Sequence, residues 1–234
     1  MAIHKCAFFI LLALLVLLTA QALATKNDDP FSWDVDIAEW IQTADAGSIG
    51  SYNNRMGVAG VAGVVGLIVI ACLWFKGWRA EAVFVGFVGV ADLLNPLFRE
   101  VIGNPRPTSE FITVYRSPVD FSFPSGTAMH VVMFSGVLIY LSMHLMKAGW
   151  LRNVICGIMG LWIPIMGVWL IYRGAHWPSD VLGGYVYGAV FLCIIIWSYQ
   201  KYIAWRRSLP KEHIPLEKLP SLFQPFAWIA RIVY

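Results

Sequence analysis

The chain alternates long apolar runs with short polar stretches. Six runs approach the ~20 residues that cross a bilayer core: Ala7 to Ala24, Gly57 to Phe75, Ala80 to about Leu97, Ala128 to Leu145, Leu151 to about Leu170, and Val181 to Trp197. In lipid, every backbone N–H and C=O needs a partner within its own segment, so runs of this length predict helices. The period-two alternation of a membrane barrel is absent. The pattern predicts an all-α polytopic membrane protein, a bundle of six transmembrane helices.

The polar stretches orient that bundle. If six crossings alternate, Lys5, Lys76 with Arg79, Lys147 with Arg152, and Lys201 with Arg206 and Arg207 share one side. The positive-inside rule makes that side cytoplasmic. Arg99, Arg106, Arg116 and Arg173 then fall on the opposite side, against the bias, which implies that a site holds them there. Composition agrees with the class: 59% of residues are hydrophobic and 13% charged, against roughly 25% charged in soluble domains. An integral protein of a plasma or inner membrane is expected, its site on the non-cytoplasmic face. Membrane lipids are the expected surroundings, and no nucleic-acid partner is expected.

A single membrane domain is expected, in three parts. Residues 1–56 hold the first span and an outer segment, 57–200 a catalytic core, and 201–234 an amphipathic cytoplasmic tail. Lys5, the apolar stretch to Leu18, and Ala22-Leu23-Ala24 also resemble a cleavable signal peptide; retention as a first span is the expectation. In the outer segment, Trp33, Val35, Ile37, Trp40 and Ile41 are interleaved with acids, which fits a short helix on the membrane surface or an ordinary connecting loop. The tail mixes Arg206, Arg207, Lys211 and Lys218 with Phe223, Phe226 and Trp228, a composition suited to headgroup depth. Cys6, Cys72, Cys156 and Cys193 lie in or beside apolar runs, without metal-ligand spacing, and read as small hydrophobes.

Polar residues cluster at the mouths of the outward-facing runs. Arg99 and Arg106 are seven apart, with Gly103-Asn104-Pro105 breaking any helix between them, so both could fold back on one anion. The planar guanidinium suits bidentate phosphate contacts. Pro124-Ser125-Gly126 precedes the fourth run; Pro suits a first helical turn, Gly permits close backbone approach, and free N–H groups make an anion seat. His176 precedes Pro178, another helix-start residue, and Asp180 follows one turn later. An Asp near a His fixes its tautomer and leaves the other ring nitrogen a better nucleophile.

At these residues the chain resembles the type 2 phosphatidic acid phosphatase superfamily of integral membrane lipid phosphatases. That family carries K-x6-R-P, then P-S-G-H, then S-R-x5-H-x3-D, usually within six transmembrane helices. Here the first motif is Arg99-Glu-Val-Ile-Gly-Asn-Pro-Arg106-Pro107, the second Pro124-Ser125-Gly126-Thr127, and the third ends Gly174-Ala-His176-Trp-Pro-Ser-Asp180. The resemblance covers roughly residues 57 to 200. It implies a phosphohistidine intermediate at His176, support from Asp180, a phosphate held by Arg99, Arg106, Ser125 and Gly126, and no metal or other cofactor.

Four departures stand out. Arg99 replaces the family lysine and keeps its charge. Thr127 stands where the family has the histidine that protonates the leaving oxygen, Leu170 where it has its third-motif arginine, and Trp169 where it has serine. His130, three residues after Thr127, and Arg173, three after Leu170, lie on nearly the same helical faces. A shift of three residues moves a side chain by about 4.5 Å along a helix. His130 as the acid and Arg173 as a phosphate ligand, with Thr127 lining the seat, are the expected compensations; a packing histidine is the alternative. Asp92, inside the third run and ahead of Asn95-Pro96, is a functional acid or half of a structural pair. Three functions fit: a lipid phosphatase acting on a phosphomonoester or diphosphate headgroup, a lipid phosphotransferase, or a catalytically reduced phospholipid-binding relative. The phosphatase is the expectation.

Overall fold

The computed structural model describes residues 2–24, 30–43, 58–115 and 119–208. Eight helices form among the described residues, which contain no strand: α1 (Ala2–Ala24), α2 (Ser32–Thr43), α3 (Val58–Phe75), α4 (Arg79–Asp92), α5 (Asn95–Ile102), α6 (Gly126–Leu145), α7 (Trp150–Tyr172) and α8 (Pro178–Ser208). Among the described residues, four stretches are long and apolar enough to cross a membrane: Arg79–Ile102, Gly126–Leu145, Trp150–Tyr172 and Pro178–Ser208. Arg116 and the tail beyond Ser208 lie outside the described residues.

Two of the expected boundaries shift. The third run extends past Leu97 to Ile102 and bends between α4 and α5, where the Leu94 N–H bonds Ala91 O in a tightened turn just ahead of Asn95-Pro96. Proline has no N–H to continue the ladder, so the chain restarts there. The bend sets Arg99 in the last turn of α5 rather than in the loop after the span. The sixth run continues past Trp197 to Ser208, because no proline intervenes and Arg206 and Arg207 in the last turn complement the helix dipole.

Helix α6 is the centre of the bundle and packs chiefly on α8 and α7. Its inner stripe is Met129, Met133, Val137 and Leu141, every fourth residue, closed against Phe84, Val85 and Val88 of α4 and Tyr187, Ile195 and Tyr199 of α8. Small residues bring α6 and α8 close. A Cβ at Gly184 would lie 2.5 Å from the Ser125 carbonyl, and one at Gly188 2.7 Å from that of Met129. In a membrane, where apolar burial gives no drive between helices, such contact by small residues is what holds them together. The outer faces of α3 and α7 expose Val64, Ile68, Val154 and Leu161, as a lipid-facing surface requires.

Helix α2 differs from a surface-floating helix. Asp34 and Ala38 are buried, and the helix docks on the ends of α7 and α8. The Asp34 carboxylate accepts from Ser179 N (2.8 Å) and Ser179 Oγ (2.7 Å). At the other end, Gln42 Nε2 donates to Thr113 O (2.7 Å) and Tyr172 O (3.0 Å), and its Oε1 accepts from Thr113 N (3.0 Å). These bonds tie the outer loop to the turn after α7, where Gly174 adopts φ +61° and a Cβ would meet Thr113 O at 2.5 Å. Only glycine fits that turn.

Candidate active site

The end of α5, the start of α6 and the start of α8 meet at one point. Two hydrogen bonds define the junction: the backbone Ser125 N donates to the backbone Asp180 O (3.0 Å), and the Asn95 side-chain Nδ2 donates to Pro124 O (3.2 Å). Ser125 caps α6, its Oγ accepting from Ala128 N (3.4 Å), while Met129 N bonds Ser125 O. That cap leaves the N–H groups of Gly126 and Thr127 without intrahelical partners, as in any first turn, and both are partly exposed. Arg99 crosses in front of them, its Nε donating to Pro124 O (3.3 Å). A Cβ on Gly126 would meet Asn95 Oδ1 at 2.5 Å and Arg99 Nη2 at 2.9 Å, so glycine is what lets the guanidinium close on the helix start.

Arg106 enters from the loop after α5. Its Nη1 donates to Ala175 O (2.5 Å) and lies 3.4 Å from His176 Nε2, while its Nε donates to Asp120 O (2.8 Å). Between the two arginines sits the Asp120 carboxylate, which accepts from Arg106 Nη2 (2.7 Å) and pairs with Arg99 Nη1. Burial pushes this carboxyl up, but the charges of Arg99 and Arg106 outweigh it and hold the group below the usual carboxylate range. The pair of arginines thus forms a seat for an anion, and in this structure the protein's own carboxylate sits in it.

His176 and Asp180 are both buried. The ring turns Nε2 towards Arg106 and Nδ1 towards Ser122 Oγ (3.4 Å) and Asp180 Oδ2 (3.7 Å). Arginine only donates, so Nε2 accepts, and the ring proton belongs on Nδ1. The Asp180 carboxylate is fixed by three donors: Trp177 N (2.7 Å), Asn104 Nδ2 (3.3 Å) and Ser122 Oγ. The first is the reach-back bond of a capping box, since Val181 N bonds Trp177 O and begins α8. Burial, with help from the charges of Arg106 and Arg99, lowers the basicity of His176 below that of an ordinary histidine, against the pull of Asp180. The outcome is a neutral imidazole with its lone pair on the side of the arginines.

His130 lies one turn further along α6. Its Nδ1 is 2.5 Å from Asp92 Oδ2, and its ring stacks on Phe134. Arg173 is buried, with its guanidinium 5.6 Å from the centre of the Trp169 ring, and its carbonyl accepts from Tyr115 N (3.1 Å). The structure brings Arg99, Arg106, Ser125, Gly126, His176 and Asp180 together at this junction. Sequence reasoning missed Ser122, Asn104, Asp120 and Asp34. In sequence Asn104 reads only as a helix breaker, and Asp120 and Ser122 sit in a loop without periodicity. The acid position of Asp34 in an amphipathic helix was the one available signal. Burial pushes the Asp34 carboxyl up to about 6 despite its bonds from Ser179, and the charge of Asp180 adds to the rise.

The chain belongs to the PAP2 superfamily, whose family model matches residues 3–204. Phosphatidylglycerophosphatase B of Bacillus subtilis (strain 168) is 30% identical over 144 residues, which are 60% of this chain and 69% of that protein. An undecaprenyl-diphosphatase of Sulfolobus acidocaldarius is 23% identical over 191 residues, 80% of this chain and 88% of its own. The crystal structure of a transmembrane PAP2-type phosphatidylglycerolphosphate phosphatase from Bacillus subtilis shares the fold, with a TM-score of 0.56 at 18% identity over 83% of this chain and 96% of that one.

Proposed function

We propose that this protein is a metal-independent membrane lipid phosphatase that hydrolyses a phosphomonoester or diphosphate headgroup through a phosphohistidine at His176. The observation that carries the reading is the orientation of that ring, Nε2 beside Arg106 and Nδ1 towards Asp180 and Ser122. The substrate phosphate displaces the Asp120 carboxylate from Arg99 and Arg106, and the amides of Gly126 and Thr127 at the capped helix start bind its remaining oxygens. Arg173 adds positive charge behind the seat. His176 Nε2 attacks phosphorus, and the leaving oxygen departs on the opposite side. Asp180 holds the Nδ1 proton and stabilises the positive ring that results. Water then hydrolyses the phosphohistidine. With Thr127 in the family's acid position, His130 is the proton donor. Six spans, with this site on the non-cytoplasmic face, complete the proposal; the distribution of basic loop residues supports it. Relatives acting on phosphatidylglycerophosphate and on undecaprenyl diphosphate support a phosphate ester or anhydride borne by a lipid.

The test is phosphate release by purified protein in detergent with EDTA, from phosphatidic acid, phosphatidylglycerol phosphate and a polyprenyl diphosphate. The wild type is expected to release phosphate and His176→Ala to release none. Equal release by the two, or release abolished by EDTA and restored by a metal, would refute the proposal.

A further inference from the structure

A groove of about 1660 Å³ opens between α3, α4, α6 and α7, and its lining joins the anion seat to the apolar interior. Arg99, Gly126, Thr127, Asp92 and His130 line it together with apolar residues such as Leu67, Trp162 and Ile165. His130 follows Gly126 and Thr127 by about one turn of α6. A lipid whose phosphate rests on Arg99 and whose chain lies in the groove therefore brings its leaving oxygen near His130.

The Asp92–His130 pair is unlike a packing pair. Acids within a span are costly and call for a partner. Each side chain nonetheless keeps part of its surface open, 30% for Asp92 and 20% for His130. His130 uses only Nδ1 in the pair; its Nε2 is covered and has no hydrogen-bond partner among the described residues. Leaving a buried polar atom unsatisfied is costly, and a structural histidine would relieve it. A ring backed by a carboxylate on one nitrogen, with the other unpaired, is the arrangement of a group that gives up a proton in one step and recovers it in the next. Such contacts often close only when substrate is bound.

We infer that Asp92 is a positioning residue for His130, and that the two form an acid–base dyad set one turn deeper than the family's histidine, the His130 side chain lining the lipid groove and its covered Nε2 meeting the leaving oxygen when bound lipid shifts the ring. The inference rests on the phosphatase reading above. In the first step the His176 Nε2 lone pair forms the N–P bond. The P–O bond to the lipid breaks with its electron pair on oxygen, and the His130 Nε2 proton passes to that oxygen, releasing the lipid alcohol. In the second step water attacks phosphorus, its proton goes to His130 Nε2, and the N–P electron pair returns to His176 as phosphate leaves. The dyad ends as it began.

An acid matters in proportion to how poor the leaving group is. The experiment therefore compares kcat/KM, which reads the steps up to phosphohistidine formation and leaves out the water step that both substrates share, for the best phosphomonoester lipid of the panel, which expels an alkoxide, and for p-nitrophenyl phosphate, whose phenolate leaves without a proton. His130→Ala is expected to lower kcat/KM on the lipid by about 10²- to 10⁴-fold and on the aryl ester by less than about threefold. Asp92→Asn should show the same selectivity, with a loss between about tenfold and that of His130→Ala. Asp92→Glu should recover part of the lipid rate, and it serves as the readout if Asp92→Asn does not fold. Equal losses on both substrates, or none on the lipid, would overturn the dyad. Loss of both activities in His176→Ala alone would leave the phosphatase reading standing in either case.

Discussion

Replacing Asp120 with alanine should tighten phosphate binding. Its carboxylate occupies the space between Arg99 and Arg106, so a substrate phosphate must first displace it. The strength of that competition can be worked from exposure. The Asp120 side chain is 42% exposed, whereas those of Arg99 and Arg106 are 14% and 7% exposed. With one partner this open to solvent, each ion pair contributes no more than about 0.5–0.7 kcal/mol. Two pairs give about 1–1.4 kcal/mol, a closed-to-open ratio of about five to ten, which weakens apparent phosphate affinity by the same factor. The backbone bond from Arg106 Nε to Asp120 O survives in the variant, so the loop keeps its anchor. The assay is the competitive Ki of inorganic phosphate in detergent, together with KM for the lipid. Both should fall by about fivefold to tenfold in Asp120→Ala. A Ki that rises would mean that the carboxylate holds the arginines in order for the substrate, and the competition argument would fail.

Two further predictions concern pH. Burial lowers the basicity of His176 from the ordinary value of 6.5, and the nucleophile must be unprotonated, so the acid limb of the kcat/KM profile should lie below pH 6.5; a limb above it would contradict the neutral-ring assignment. Asp34 is raised from 3.8 to about 6, so the folded state binds more protons than the unfolded one in that window, and the stability Asp34 contributes is lost as pH rises through about 6. The shift corresponds to as much as about 3 kcal/mol. The difference in detergent thermal unfolding between wild type and Asp34→Asn should grow across that pH range in the direction of wild-type loss, and parallel curves would refute the assignment.

The helical class and the principal site residues were legible for different reasons. Apolar runs of bilayer length leave helices as the only solution, and a helix start marked by Pro124-Ser125-Gly126 or Trp177-Pro178 fixes where a side chain emerges. That is why Ser125 and Asp180 fall at helix starts as read. Run ends were less legible: hydropathy fades gradually, whereas the helices stop on hydrogen bonding, at Gly103 with its left-handed φ of 70° and beyond Arg207. Contacts between distant segments carry no local signal. Ser122 and Asn104 each lie in loops, and only the fold brings both to the Asp180 carboxylate.

Thr127 marks where sequence reading by motif and structural reading part. Judged by motif, the second signature lacks its acid, and the chain could be taken for a weakened relative. The bend after α4 changes that judgement, because it ends the helix at Asp92, opposite the α6 turn that carries His130. A histidine one turn along α6 would otherwise be an uncompensated polar group in the membrane, and Asp92 would be an unpaired acid; each accounts for the other. A direct consequence follows for the double variant Thr127→His with His130→Ala. If the acid has only moved along the helix, restoring histidine at 127 should recover at least about tenfold of the alkoxide-specific kcat/KM lost in His130→Ala, leaving the aryl ester kcat/KM unchanged. No recovery, with His130→Ala still selective, would mean that the groove delivers the leaving oxygen to the deeper position alone.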